Sequence, residues 1–157
     1  MTPAINSAKK AKISFTVHNY PHDPASPSYG REAAEKLGIA EARVFKTLVT
    51  QVDGRAFAVA IIPVSTTLSM KQFAKATKGK KAAMADKGAV ERVTGYVLGG
   101  VSPLGQKKRL PTIIDSSASS FPTIFVSAGR RGLEIELKPA DLATLTGAAF
   151  AAIGETR

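Results

Sequence analysis

The sequence predicts an α+β fold: a curved mixed β-sheet or distorted barrel with short helices around it. Three observations lead there. Segments of strand length, among them 13–20, 43–52, 55–63 and 133–137, are apolar or alternate apolar with polar residues. Short helical segments open at recognisable caps, and the two kinds mix without strict βαβ alternation. The chain has 157 residues, 44% of them hydrophobic and 22% charged. That suits a single domain over 1–157 with a core of its own.

Taken in order, Thr2-Pro3 reads as an N-cap with proline at the first helical position, opening a helix to about Lys12. Ile13 to Tyr20 alternates as a half-buried strand, with Ile13, Phe15 and Val17 on one face and His18 and Tyr20 on the other. Prolines at 21, 24 and 27 make 21–28 an irregular loop. Gly30 to Gly38 is an amphipathic helix with a glycine stop. Arg43–Val52 and Arg55–Pro63 form a hairpin turned at Asp53-Gly54.

Lys46 shares a strand face with Val44 and Leu48, so its stem either covers apolar surface with the ammonium in water or enters a pocket. Ser69 and Asp86 cap helices through Ala76 and Val93, with the basic turn Lys78-Gly79-Lys80-Lys81 between them. Pro111–Asp115, Pro122–Val126 and Leu133–Leu137 are strands, and Ser127–Gly132 is a glycine-rich basic loop. Glu134 and Glu136 share the polar face of the last strand. Pro139 opens a helix to about Leu145, closed at Gly147; Ala148 onward carries little local signal.

One stretch, 94–109, gathers the rest. The run Tyr96-Val97-Leu98 feeds Gly99 and Gly100, Pro103 stiffens the chain, and Gly105 leads to Lys107, Lys108 and Arg109. Glycine admits close approach of another molecule to the backbone, and cations suit phosphate. A surface turn followed by a solvated charge run has the same composition.

Composition narrows the chemistry. No cysteine is present, which excludes disulfides, thiolate metal sites and a cysteine nucleophile of the protein. The histidines, His18 and His22, have no metal-site spacing, and no metal or cofactor is expected. A net charge of +10 points to an anionic partner, most often nucleic acid. The start lacks a secretory pattern and the longest apolar run, Ala56 to Val64, is too short for a bilayer, so a cytosolic protein away from membranes is expected.

Several stretches together carry a resemblance: Met1-Thr2-Pro3-Ala4, Glu32 to Ile39, Val44-Phe45-Lys46-Thr47-Leu48, Met84-Ala85-Asp86, Thr94-Gly95-Tyr96, Gly99 to Lys108 and Ser127 to Leu133. In this order they resemble the YbaK/EbsC family of aminoacyl-tRNA deacylases, and within it the YbaK-type Cys-tRNA(Pro)/Cys-tRNA(Cys) deacylases. The resemblance implies a free-standing editing domain that removes cysteine from mischarged tRNA. It implies the acceptor end of aminoacylated tRNA as ligand, prolyl-tRNA synthetase as partner, and attack of the cysteinyl thiol on its own ester. It also implies a pocket role for Lys46, with Tyr20 and Glu136 beside it.

By the same resemblance, Gly99, Gly100, Val101, Ser102 and Pro103 form the GxxxP loop that holds the substrate, with Thr47, Ser127 and Gly129 lining the pocket. Lys107, Lys108, Arg109, Arg130 and Arg131 form a phosphate-facing rim. Ala128 stands where relatives often have glycine, which puts the backbone angle there in question. Two other readings fit the composition: a deacylase for another small amino acid, such as alanine on tRNA(Pro), and a non-catalytic RNA-binding module. The shortage of aromatic residues (6%, no Trp) speaks against the second.

Overall fold

The computed structural model describes residues 1–26 and 29–156; residues 27 and 28 of the expected proline loop lie outside them. Local chemistry sets most elements. Helix α1 (Pro3–Lys10) starts where Thr2 Oγ1 accepts the Ile5 N–H at 3.2 Å. Strand β1 (Phe15–Asn19) and helix α2 (Tyr29–Leu37) follow, then a 3-10 turn at Glu41–Arg43. Strands β2 (Phe45–Val52) and β3 (Ala56–Pro63) form the expected hairpin. Its turn residues Asp53 and Gly54 both have positive φ, 54° and 66°, and the Arg55 N–H closes the turn on Val52 O at 3.0 Å, giving a three-residue loop between paired Val52 and Ala56.

Short strand β4 (Thr66–Leu68) precedes α3 (Met70–Ala76), capped by Ser69, and β5 (Ala82–Met84) precedes α4 (Lys87–Thr94), capped by Asp86. Strand β6 (Thr112–Asp115) leads to β7 (Ile124–Arg130) and β8 (Leu133–Leu137), and α5 (Pro139–Thr146) follows. The weakly specified tail forms β9 (Ala149–Ala151) and β10 (Gly154–Thr156). Buried Asp115 anchors that tail: its Oδ1 accepts the N–H groups of Ile153 and Gly154 at 3.0 and 2.9 Å.

The class is α+β, as expected. The strands divide among three sheets, in the orders β5-β2-β3-β6-β9, β1-β8-β7 and β10-β4, and a bridge between Val44 and Phe125 links the two larger ones. Between them lies the main core, with Val59, Ile61 and Ile114 meeting Val126, Ile135 and Leu137, closed by α1 and α4. Helix α3 covers the other face of the five-stranded sheet through Phe73 and Ala74. Helix α2 covers the outer face of the three-stranded sheet, where Ala33 and Ala34 pack with Tyr20, Val44 and Phe125. No helix among the described residues is long and apolar enough to cross a membrane.

A buried carboxylate fixes α2 to the loop before it. Glu32, 5% exposed, receives the Asp23 N–H at 2.7 Å, Lys36 Nζ at 3.0 Å and pairs with His22 Nδ1 at 2.6 Å. Burial alone would raise its pKa, but these three partners outweigh burial and hold it at about 2.

Candidate functional site

A cavity of about 290 Å³ opens where the two larger sheets meet. Five consecutive residues, Val44 and the first four of β2, Phe45 to Leu48, line it. Consecutive lining means that the edge of β2, rather than one face, borders the space. The cause is the short neighbour: β5 pairs only with Thr50–Val52, leaving the outer edge of Phe45–Leu48 uncovered. Tyr20, Ser127, Arg130, Arg131 and Glu134 close the far wall, and Leu98, Gly99 and Val101 close the mouth. The size is at the lower end for small-molecule sites.

The expected residues separate into two groups. Lys46, Tyr20, Thr47, Gly99, Val101, Ser127, Arg130 and Arg131 line the cavity. Gly100, Ser102, Pro103 and Gly129 do not. A Cβ on Gly100 would sit 2.9 Å from Arg130 Cα, so glycine here lets the loop lie flat against the end of β7. The Gly100 N–H is spent on Val97 O at 2.9 Å, whereas the N–H groups of Gly99 and Val101 make no hydrogen bond among the described residues. Buried Ser102 accepts the Leu104 N–H, and Tyr96 Oη donates to Leu104 O at 2.5 Å, pinning the loop from beneath.

The stretch expected as a loop at Ser127–Gly132 is mostly strand. A register shift between Ser127 and Arg130 forms a bulge, with Gly129 at φ 114° packed on Tyr96 and Thr2. Ala128 has no positive φ and fits fully buried, its carbonyl accepting a hydrogen bond from Thr2 Oγ1. The question raised by its missing glycine is thereby answered: the unusual backbone angle falls one residue later.

The cationic rim also divides. Arg130 and Arg131 reach the cavity. Lys108 and Arg109, with Pro103, border a separate hollow of about 170 Å³ against Leu145 and Thr146, and exposed Lys107 lines neither space. Glu136 stands outside the cavity as well. It pairs with His18 Nε2 at 2.9 Å, accepts a hydrogen bond from Thr123 Oγ1 and lies 3.7 Å from Arg43. Its neighbour on the same face, Glu134, is the acid inside.

Comparison with known proteins places this geometry. The aminoacyl-tRNA editing domain family matches residues 23–145, most of the chain. The chain belongs to that family. It is 38% identical over 152 residues to EbsC of Enterococcus faecalis, by name a candidate Cys-tRNA(Pro)/Cys-tRNA(Cys) deacylase, covering 97% of this chain and 92% of that one. It is 29% identical over 140 residues to YwhH of Bacillus subtilis, covering 87% and 88% of the two chains. In fold it resembles a solved candidate trans-editing enzyme for prolyl-tRNA synthetase, with a TM-score of 0.85 at 23% identity over 98% and 95% of the two chains.

Within this editing fold the electrostatics of the cavity are unusual. Burial, and then the nearby positive charge of Arg31, lower the pKa of Lys46, and no carboxylate pairs with it among the described residues. The Thr47 hydroxyl is buried with no hydrogen-bond partner. Glu134 is 6% exposed, and burial pushes its carboxyl up to about 8, so it is largely uncharged at neutral pH. Burial, and then the neighbouring Glu134 carboxylate, raise Tyr20 to about 12, keeping it a hydrogen-bond donor. Unpaired polar groups in a concave site mark places prepared for ligand atoms.

Glu134 carries a measurable consequence. The folded chain keeps this proton between the ordinary carboxyl value of 4.5 and about 8, while the unfolded chain has lost it. The native state therefore binds more protons in that window, and stability falls as pH rises through it. Glu134→Gln should abolish this fall, gaining most against the parent chain near pH 9 and little near pH 4.5. Urea unfolding at several pH values measures it; parallel pH profiles for the two proteins would show that Glu134 is already ionised in the fold.

Proposed function

We propose that this chain removes cysteine from Cys-tRNA(Pro), and from Cys-tRNA(Cys), by letting the substrate's own thiol cleave the ester. The observation that carries the reading is a small cavity with ligand-binding groups and no activated nucleophile. Ser127 Oγ accepts the Gly129 N–H at 3.1 Å, no histidine lines the space, and the chain has no cysteine. A near-isosteric wrong amino acid escapes a synthetase pocket because one small group is worth only about 1–3 kcal/mol of discrimination, which is why a second site is needed.

Lys46 would hold the phosphate or ester oxygens at the end of the tRNA. The Gly99 and Val101 N–H groups and the Thr47 hydroxyl are available to bind the ribose and the carbonyl oxygen as charge develops there. The thiol sulfur bonds to the carbonyl carbon, the bond from that carbon to the 3′-oxygen breaks, and the thiol proton ends on the departing oxygen. Glu134, protonated at neutral pH, is suited to relay it. The products are free tRNA and a cyclic thiolactone. The protein's contribution is mainly to hold thiol and ester in reacting geometry. Prolyl-tRNA synthetase is the proposed source of mischarged substrate, and the cytoplasm the place of action.

Deacylation of Cys-tRNA(Pro), run beside Ala-tRNA(Pro), Ser-tRNA(Pro) and Pro-tRNA(Pro), tests this directly. Rapid loss of cysteine alone, with the thiolactone trapped as product, is expected. Comparable loss of alanine or serine would retain an editing enzyme but discard the thiol mechanism. No loss from any substrate would leave an RNA-binding module.

A further inference from the structure

Between Gly54 and Ala85 the chain carries Arg55, Lys71, Lys75, Lys78, Lys80 and Lys81 and no acidic residue at all. The five lysines are exposed, and none forms an ion pair among the described residues. The carboxylate next to them, Asp53, does not neutralise them in pairs. It accepts the backbone N–H groups of Lys80 and Lys81 at 3.0 and 2.8 Å, which hold its pKa low and fix the turn's shape. Lys71 and Lys75 are four residues apart on α3 and so share one side of it. Lys78 follows just past the helix end, in a left-handed conformation with φ 63°.

This basic tract and the cavity lie along one sheet face. Lys46, Leu48 and Val52 alternate onto the face that α3 covers; Leu48 lines the cavity and also packs, as Met70 of α3 does, against the cluster that contains Phe73 and Ala74. From Lys46 to Val52 the strand runs roughly 20 Å, at about 3.3 Å per residue. No aromatic side chain is exposed on the tract: Phe73 is fully buried, and the exposed Phe150 belongs to β9 at the opposite edge of the sheet. Cations without stacking groups suit continuous phosphate backbone rather than splayed bases. Among the described residues the tract exposes one large apolar side chain, Met84 at the end of β5, without the aromatic anchor usual at the centre of a protein interface.

We infer that the α3–β5 lysine tract, Lys71, Lys75, Lys78, Lys80 and Lys81, docks the phosphate backbone of a base-paired RNA stem whose single-stranded 3′ end enters the cavity at Lys46. The inference rests on the editing function proposed above and adds where the body of the substrate lies. Contact is with backbone, so the tract supplies affinity and orientation without sequence preference.

The test uses the full chain with Lys71→Gln, Lys75→Gln and Lys78→Asn combined, asparagine being tolerant of the left-handed angle at 78. Two substrates are compared: full-length Cys-tRNA(Pro), and a short cysteinylated CCA oligonucleotide with no stem. On tRNA, KM should rise about tenfold with kcat unchanged, and the slope of log affinity against log salt should become shallower by about 2. Activity on the short oligonucleotide should not change. Binding of uncharged tRNA, read by fluorescence anisotropy with the same variant, should weaken by the same factor, and this holds even if the wild type deacylates nothing. An unchanged KM and salt slope on tRNA would overturn the docking surface, as would an equal loss on the short substrate. Loss seen only when prolyl-tRNA synthetase is present would assign the tract to a protein partner and overturn it equally.

Discussion

Lys46→Ala should lower kcat/KM for Cys-tRNA(Pro) by about 100-fold or more, equivalent to about 2.7 kcal/mol of lost transition-state stabilisation. The ammonium stands half-buried at the cavity with no carboxylate to satisfy it, so its charge is reserved for a ligand. Removing it also removes a desolvated cation beside Arg31, which offsets the packing lost with its stem. Melting temperature should therefore stay within about 4 °C of the parent, a change of no more than about 1 kcal/mol for a domain of this size. Arginine should not restore activity, because its planar fork cannot occupy the place of a compact ammonium. Single-turnover deacylation and a thermal melt decide the matter together. Full activity in Lys46→Ala would remove this residue from the site.

Gly100→Val should be nearly as damaging by a different route. The new Cβ would meet Arg130 Cα at 2.9 Å and Arg130 C and N at 3.4 Å, and backbone atoms in a bulged strand cannot swing aside as a side chain can. The loop must lift from β7, carrying Gly99, Val101 and Leu98 away from the cavity they line. A loss of activity above about tenfold, with destabilisation of about 1–3 kcal/mol, is expected. Gly88→Ala is the matched control: it lies in α4, and a Cβ there meets only Asp86 Oδ1 at 3.5 Å. That substitution should be neutral or slightly stabilising. Wild-type turnover in Gly100→Val would mean that the loop position does not matter to the chemistry.

Local signals in the sequence reach as far as local physics does. The caps at Thr2, Ser69 and Asp86, the Asp53-Gly54 turn and the alternation of β1 and β8 were all legible, because each depends on residues within a few positions. Strands β4, β5, β9 and β10 were not. Each has three residues, too few for a period to show, and each exists because a distant partner pairs with it. The lysine on β2 and the two glycine-bearing segments were legible as types; that Gly99 faces the cavity while Gly100 faces Arg130 was not.

The two acids on β8 show where the boundary falls. Glu134 and Glu136 are chemically identical and two residues apart, so a period of two places both on one face, and only the family resemblance singled out Glu136. In the fold Glu136 meets His18, Thr123 and Arg43 outside the cavity and is held charged, chiefly by the Thr123 hydroxyl against the opposing effect of burial. Glu134 is enclosed with Tyr20 and Ser127 and keeps its proton. By itself the sequence determined the α+β class, the caps, the excess of positive charge and the face each side chain takes. Only the tertiary structure decided which side chain on a face loses its water, because desolvation is set by neighbours brought from elsewhere in the chain.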